Sequence, residues 1–418
     1  MKIRHIRWWI VGFLLLISIL NYVDRQMFSI LAPTIQTDLG MSDAEYGRIV
    51  SYFLAAYTVS YLVSGRIMDA VGARVGLAFS LGLWSAASAL TGLMRGIGGV
   101  GWCRACLGLF EAGGYTASPK VVSEWFPDKE RGTAISIYAI GASVGATIAP
   151  IIIIALASQY GWRGTFLITG GFGLLLVLPW LVLFRPLNRH PWVSETERGH
   201  ILDGQRASPA GKPMTEGQRW RAILTSPQIW GLMGARMLTD PVWYFLQFWM
   251  PKYLHSERGL SQNQLTSLWL IFLAADIGFV GGGFLSDALV RRGRLPANAR
   301  RWVMGGAALV VPLFIGWVPH LAAIEFVFAF SMVVALAHAA WLTCNAALVM
   351  DLVSKPLFAT AFGFVSAGSA LGGIIMNSAV SWAVTHTSYT HCFLFMVLLH
   401  PIGMFLILRF ARGTQPSL

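Results

Sequence analysis

Four charged side chains stand inside apolar runs where charge is expensive: Asp24 and Arg25 within Asn21-Tyr22-Val23-Asp24-Arg25, and Arg104 and Glu111 further along. Placing such a group in a membrane-length segment costs roughly 2.5–3.5 kcal/mol, so it pairs with a partner or faces a cavity. At a helix end, Arg25 would instead snorkel to lipid headgroups, but apolar sequence continues past Phe28 to Ile35. Arg104 and Glu111 are seven residues apart, about two turns and ~10.5 Å along one helix face. Burial disfavours an ionised carboxylate and a paired guanidinium favours it. An arginine that changes partner therefore toggles protonation. Asp24 and Glu111, with Arg104 beside them, have the types needed for proton coupling. The competing reading is a static salt-bridge cluster. Tyr57 is the nearest hydroxyl candidate for the same cavity, with Tyr52 and Tyr61 as competitors.

A second polar set lies in the other half of the chain. Arg236 and Asp240 are spaced for an i,i+4 pair, and Pro241 follows at once, which predicts a kink or break and freed backbone groups. Trp243, Tyr244, Phe245, Gln247 and Trp249 offer aromatic faces able to stack on a sugar ring. Asp276 falls in mid-span. Trp341 and Asn345, four apart, share a helix face and offer stacking and a hydrogen bond. Ser366 and Ser369 are weaker candidates, since serine commonly packs membrane helices. His338 reads as a satisfied packing residue. Cys103 and Cys106 form a CxxC in an apolar setting without a polar second shell, so they read as packing rather than a redox or zinc site.

The elements that must hold these residues are membrane spans. The chain has 418 residues, 56% hydrophobic and 12% charged, far from the quarter charged of soluble domains. Apolar runs of about the twenty residues needed to cross a bilayer fall near 8–32, 46–68, 75–95, 99–122, 132–157 and 163–184, then near 223–254, 264–288, 302–319, 321–350, 357–384 and 390–411. The expectation is an all-α integral membrane protein of twelve helices. The basic, apolar N-terminus resembles a signal peptide, but Asp24-Arg25 and the lack of a small-residue cleavage site make it an uncleaved first span. With both termini inside, 23 of the 31 Lys and Arg fall on the inner side and five (Arg48, Arg95, Arg163, Lys252, Arg258) on the outer. That is the positive-inside bias. The net charge of +12 is thus an orientation signal rather than a nucleic-acid footprint. The histidines show no spacing suited to a metal or a nucleophile–base pair, which argues against an enzyme; no cofactor is expected. A membrane sensor would be expected to carry an added soluble output domain, and the linker over 185–221 is too short and plain for one.

The one long polar stretch, 185–221, divides 1–184 from 222–418, and Ser194-Glu195-Thr196-Glu197 within it reads as a helix start. The two six-span halves repeat. Gly65-Arg66-Ile67-Met68-Asp69 with Gly72 and Arg74 matches Gly283-Phe284-Leu285-Ser286-Asp287 with Arg291, Arg292 and Gly293. Asp24 matches Asp240, and Gly141…Gly145 matches Gly368…Gly372. Similar offsets in the right order support a parallel duplication. Asp69, Arg74, Asp287 and Arg291 sit at cytoplasmic helix ends, where acids can pair with bases or a helix N-terminus and latch that side.

These paired loops, Asn21-Tyr22-Val23-Asp24-Arg25 and the Arg104…Glu111 spacing resemble the anion:cation symporter family of the major facilitator superfamily. Thr239-Asp240-Pro241-Val242-Trp243-Tyr244-Phe245, Trp249-Met250-Pro251-Lys252-Tyr253-Leu254, Ala275-Asp276-Ile277-Gly278 and Ala337-His338-Ala339-Ala340-Trp341 with Asn345 and Asp351 resemble its hexuronate branch. The resemblance implies two pseudo-symmetric six-helix halves, alternating access and proton-coupled import of a small organic anion such as galacturonate or glucuronate. It further implies a monomer in a bacterial cytoplasmic membrane with both termini cytoplasmic. Other organic anions (aldonates, aromatic acids) or uncoupled facilitation are the alternatives. On matching positions, Asp24 and Glu111 are the proton-responsive acids, Arg25 contacts the substrate carboxylate or bridges to those acids, and Arg104 supports Glu111. Tyr22 and Tyr57 line the sugar side. Ala142 stands where sugar-acid members often carry glutamine, which removes a hydroxyl partner.

Overall fold

The computed structural model describes residues 5–203, 215–353 and 355–412. Among these there are helices and no strands. In chain order they are α1 (Ile6–Ile30), α2 (Ala32–Leu39), α3 (Asp43–Leu93), α4 (Ile97–Trp125), α5 (Asp128–Leu183), α6 (Glu195–Asp203), α7 (Glu216–Leu224), α8 (Pro227–Phe248), α9 (Met250–Ser256), α10 (Trp269–Arg291), α11 (Pro296–Ile315), α12 (Ile324–Leu352), α13 (Lys355–His386), α14 (Tyr389–Val397) and α15 (Leu399–Phe410).

Among the described residues, eight stretches are long and apolar enough to span a bilayer. The one over 133–183 divides at Gly161, where φ is 67°. The first part of α3, which ends at Gly72 with φ 80°, α4 and α8 bring the spans to twelve. Of these three, α4 carries Arg104 and Glu111 and α8 carries Arg236 and Asp240, so those two read as less apolar. Gly72 and Gly293 (φ 88°) close the hairpins of the two matching loops. Positive φ is cheap only without a Cβ, which accounts for a glycine in both.

The described residues group into two units. The first takes 1–41 and 52–211; the second takes 42–51 and 212–418. This grouping differs from a simple cut within the linker at two places: the first turns of α3 pack with the second unit, and the first part of the linker packs with the first. The linker's docking has a local cause. Glu197 of α6 accepts hydrogen bonds from the backbone N–H groups of Ile6 (3.2 Å) and Arg7 (3.4 Å), satisfying donors that a helix start leaves open. Arg7 bridges Glu197 (2.9 Å) and Glu130 (3.0 Å), and His200 reaches Glu130 at 2.9 Å. Burial by itself would raise the Glu130 carboxyl, but hydrogen bonds from His200 and Arg7 outweigh it and hold it below its ordinary range.

Within each unit the same packing device recurs. Gly141 and Gly145 of α5 lie against the carbonyls of Leu15 and Ile19 on α1. Gly368 and Gly372 of α13 lie against the carbonyls of Met233 and Met237 on α8. A Cβ at Gly372 would come within 2.0 Å of the Met237 oxygen. Small residues let membrane helices approach this closely. The Met237 carbonyl is also the one that Pro241 cannot bond. Of the kink or break expected at Pro241, the break does not occur: α8 runs helical through Pro241 to Phe248.

Candidate functional site

In the first unit, α1, α3 and α4 bring Tyr22, Asp24, Arg25, Phe53, Tyr57, Ser88, Arg104 and Glu111 together. Arg25 donates through Nε to Glu111 Oε1 at 2.7 Å, and its Nη2 lies 2.6 Å from the same oxygen. The guanidinium carbon sits 4.8 Å from the Tyr22 ring centre and 4.7 Å from that of Tyr57, within cation–π range of both. Arg104 donates to the main-chain carbonyls of Asp24 (3.3 Å) and Arg25 (3.1 Å). Its guanidinium lies 5.1 Å from the ring centre of Phe28 and 5.2 Å from that of Phe53. The Ser88 hydroxyl donates to Asp24 Oδ1 at 3.0 Å. Asp24 Oδ2 and Glu111 Oε2 are buried without a hydrogen-bond partner.

This places the roles differently from the spacing. Glu111 takes Arg25 as its ion-pair partner, and Arg104 braces the main chain that carries Asp24 and Arg25. When ionised, the four charged groups sum to zero. Phe53 and Ser88 were not expected. Phe53 stands one turn before Tyr57 and shares its face, a signal that was present. Ser88 is one serine among several in an apolar span, and nothing in its neighbourhood marks it.

In the second unit, Arg236 pairs with Asp240 within α8 (2.6 and 2.9 Å), and its Nη1 reaches the Ser366 hydroxyl at 3.3 Å. Ser369 meets the Tyr244 hydroxyl at 3.2 Å. Trp341 and Asn345 lie on one face of α12, fully buried, with the indole N–H and both amide atoms unpartnered. On the same face, His338 Nδ1 is 3.0 Å from His400 Nε2 of α15. Each ring keeps one buried nitrogen without a partner, so His338 is not the satisfied packing residue its surroundings suggested. Asp276 is half-buried in α10.

Trp249 belongs elsewhere. Its indole donates to Asn377 Oδ1 (2.7 Å), its ring meets Tyr46 edge-on, and Lys252, paired with Asp43, lies over both rings. Asn377 in turn donates to the Gly47 carbonyl (2.5 Å) and the Ser51 hydroxyl (2.8 Å). Bound in this way, Trp249 docks the start of α3 in the second unit and presents no free face to a sugar ring.

At the loop ends, Arg74 donates to the Leu181 carbonyl at 2.6 Å. Asp287 pairs with Arg300 of α11 at 2.7 Å, and Asp351 stands 3.7 Å from the same arginine. The partner of Asp287 is therefore across a helix pair, while Arg291 is exposed at the end of α10. The Asp69 side chain lies outside the described residues.

Polar clusters buried inside two six-span units, closed by matching glycine hairpins, are the layout of a carrier. A family profile described as Major Facilitator Superfamily matches residues 14–331. The chain belongs to the Major Facilitator Superfamily. It is similar to the galacturonate transporter of Dickeya chrysanthemi, 32% identical over 285 residues, covering 68% of this chain and 82% of that one. It is also similar to the hexuronate transporter of Escherichia coli K12, 31% identical over 294 residues, covering 69% and 67%. Among solved structures, a bacterial homolog of the human lysosomal transporter Spinster, in an inward-facing, unoccupied conformation, superposes with a TM-score of 0.81 over 100% of both chains at 18% identity. That likeness bears on the fold alone. The chain is thus an integral membrane transporter of the superfamily, not an enzyme.

Proposed function

We propose that this transporter imports a sugar-acid monocarboxylate, a hexuronate such as galacturonate or glucuronate, by proton symport with alternating access. The observation that carries the reading is the state of Arg25: a buried guanidinium between two tyrosine rings, engaged by Glu111. A substrate carboxylate is recognised well by a charge-assisted, bidentate contact with arginine. For Arg25 to make it, Glu111 must let go, and a proton on Glu111 achieves that. The charge balance favours the same order. With both acids ionised the cluster is neutral, so an added anion would leave one uncompensated charge, which is costly; one proton cancels it.

Asp24 is the second proton-responsive acid, held by Ser88 and by the main chain that Arg104 braces. Within the first unit Tyr22 and Tyr57 flank the anion site; within the second, Trp341, Asn345, Ser366 and Ser369 are the residues assigned to substrate contact. The names of the two relatives support the hexuronate class, and the distribution of Lys and Arg supports a cytoplasmic-membrane protein with both termini cytoplasmic. Uptake of labelled galacturonate into proteoliposomes tests this. It is expected to follow an imposed pH gradient and to be insensitive to a sodium gradient. If neither galacturonate nor glucuronate enters or competes, the substrate assignment is wrong.

A further inference from the structure

The interior of the second unit holds a polar pair that the proton-coupling scheme does not use. His338 and His400 are both fully buried and joined by one N–H···N hydrogen bond of 3.0 Å. Such a bond needs one bare nitrogen, so one ring donates and the other accepts. For the two neutral rings this leaves one outer nitrogen as donor and the other as acceptor, whichever tautomer is taken. Those outer atoms, His338 Nε2 and His400 Nδ1, are buried without partners.

The surroundings define what they can bind. The His400 ring packs edge-on against Trp341 at 5.3 Å, and His338 stacks on Trp243 at 6.2 Å with the planes 12° apart. Trp341 and Asn345 continue the same α12 face with three more unpartnered polar atoms. Buried polar atoms are nearly always satisfied in folded proteins, and each exception calls for a reason. Five fall on one face of α12 and on the His400 ring packed against it, a concentration that calls for a ligand rather than a packing fault. The nearest charges on α8, Arg236 and Asp240, neutralise each other. The surface is therefore polar and uncharged, with both donors and acceptors. A carboxylate or an ammonium gains little there, but a hydroxyl, which gives and takes one hydrogen bond, matches it.

We propose that the His338–His400 pair is a hydroxyl-binding site, within the second unit, for a polyol of the sugar-acid class. The proposal rests on the sugar-acid reading above and assigns to these two residues a part in it.

The test uses the purified full-length protein and D-galacturonate. With 15N-labelled histidine, ligand is expected to shift the two outer ring nitrogens, assigned by single substitutions, from free toward hydrogen-bonded values. His338→Phe and His400→Phe should each weaken galacturonate binding about tenfold, the loss of one to two neutral hydrogen bonds. His338→Gln, which keeps a donor and an acceptor, should recover most of it. If galacturonate binds the wild type while both nitrogens stay unmoved and the phenylalanine variants bind normally, the pair is not a ligand site and the transport reading stands. If the wild type binds neither galacturonate nor glucuronate, the substrate reading falls and this assignment falls with it. Should the phenylalanine variants fail to fold, the nitrogen shifts in the wild type decide alone.

Discussion

The two units each bury an arginine–carboxylate pair, but they build it differently. In the first, Arg25 of α1 reaches across to Glu111 of α4. In the second, Arg236 and Asp240 are one turn apart on α8. A cross-helix pair changes when helices shift or when a ligand competes for one partner. An i,i+4 pair moves with its helix and keeps its geometry. The chain's duplication thus placed the same chemistry in both halves, and only the first is arranged to be switched. The second keeps its opposite charges paired on one helix, which suits the hydroxyl-binding role proposed for His338 and His400.

The largest effects should come from breaking the switchable pair. Arg25→Ala is expected to abolish hexuronate binding, at least a hundredfold in Kd, because it removes the anion's charge-assisted partner; near-normal affinity would take Arg25 out of the site. Glu111→Gln should abolish gradient-driven uptake while sparing substrate counterflow. Equal loss of both would mean that Glu111 is structural. The second unit should respond in the opposite manner. Asp240→Asn takes the carboxylate from the partly buried Arg236, which keeps its Ser366 contact, and is expected to destabilise the protein by about 1–3 kcal/mol, read as a lower melting temperature. The double change Arg236→Met with Asp240→Leu should recover that stability and keep pH-driven uptake within several-fold. Loss of coupling in the folded double variant would show that the second pair is switched as well.

The glycine contacts sharpen the same comparison. Gly145→Val and Gly372→Val meet main-chain atoms at the equivalent α1–α5 and α8–α13 crossings. Each should destabilise by about 1–3 kcal/mol or more, and to a similar extent. The smallest effect is expected at the linker. The Glu130 carboxylate is held below its ordinary 4.5, so its contribution is full above that value and is lost as pH falls through the lowered one. Glu130→Gln should cost about 1 kcal/mol or less at neutral pH, and its difference from wild type should vanish in acid melts.

How far the sequence reached differs between fold and site. Span positions, the repeat and the hairpin glycines follow from hydropathy and local backbone limits, which are carried by adjacent residues. The Arg236–Asp240 pair was legible for the same reason, since its spacing is local. Arg25–Glu111 was legible only as one alternative that the family resemblance left open, because the partner of Glu111 depends on which faces of α1 and α4 meet. Trp249 looked like a stacking platform until Asn377, far along the chain, took its indole N–H. Pro241 looked like a helix breaker, yet Gly372 packs against the carbonyl it frees.

Sequence alone therefore determined a twelve-span membrane transporter and the charges at its heart. Those signals lie in the cost of polar groups in hydrocarbon, which each segment pays by itself. Tertiary structure decided the pairing: that Arg25 holds Glu111, that Arg104 braces the main chain, and that His338 meets His400. A hydrogen bond between distant residues leaves no mark at either position, because only the packing of the helices sets the distance between them.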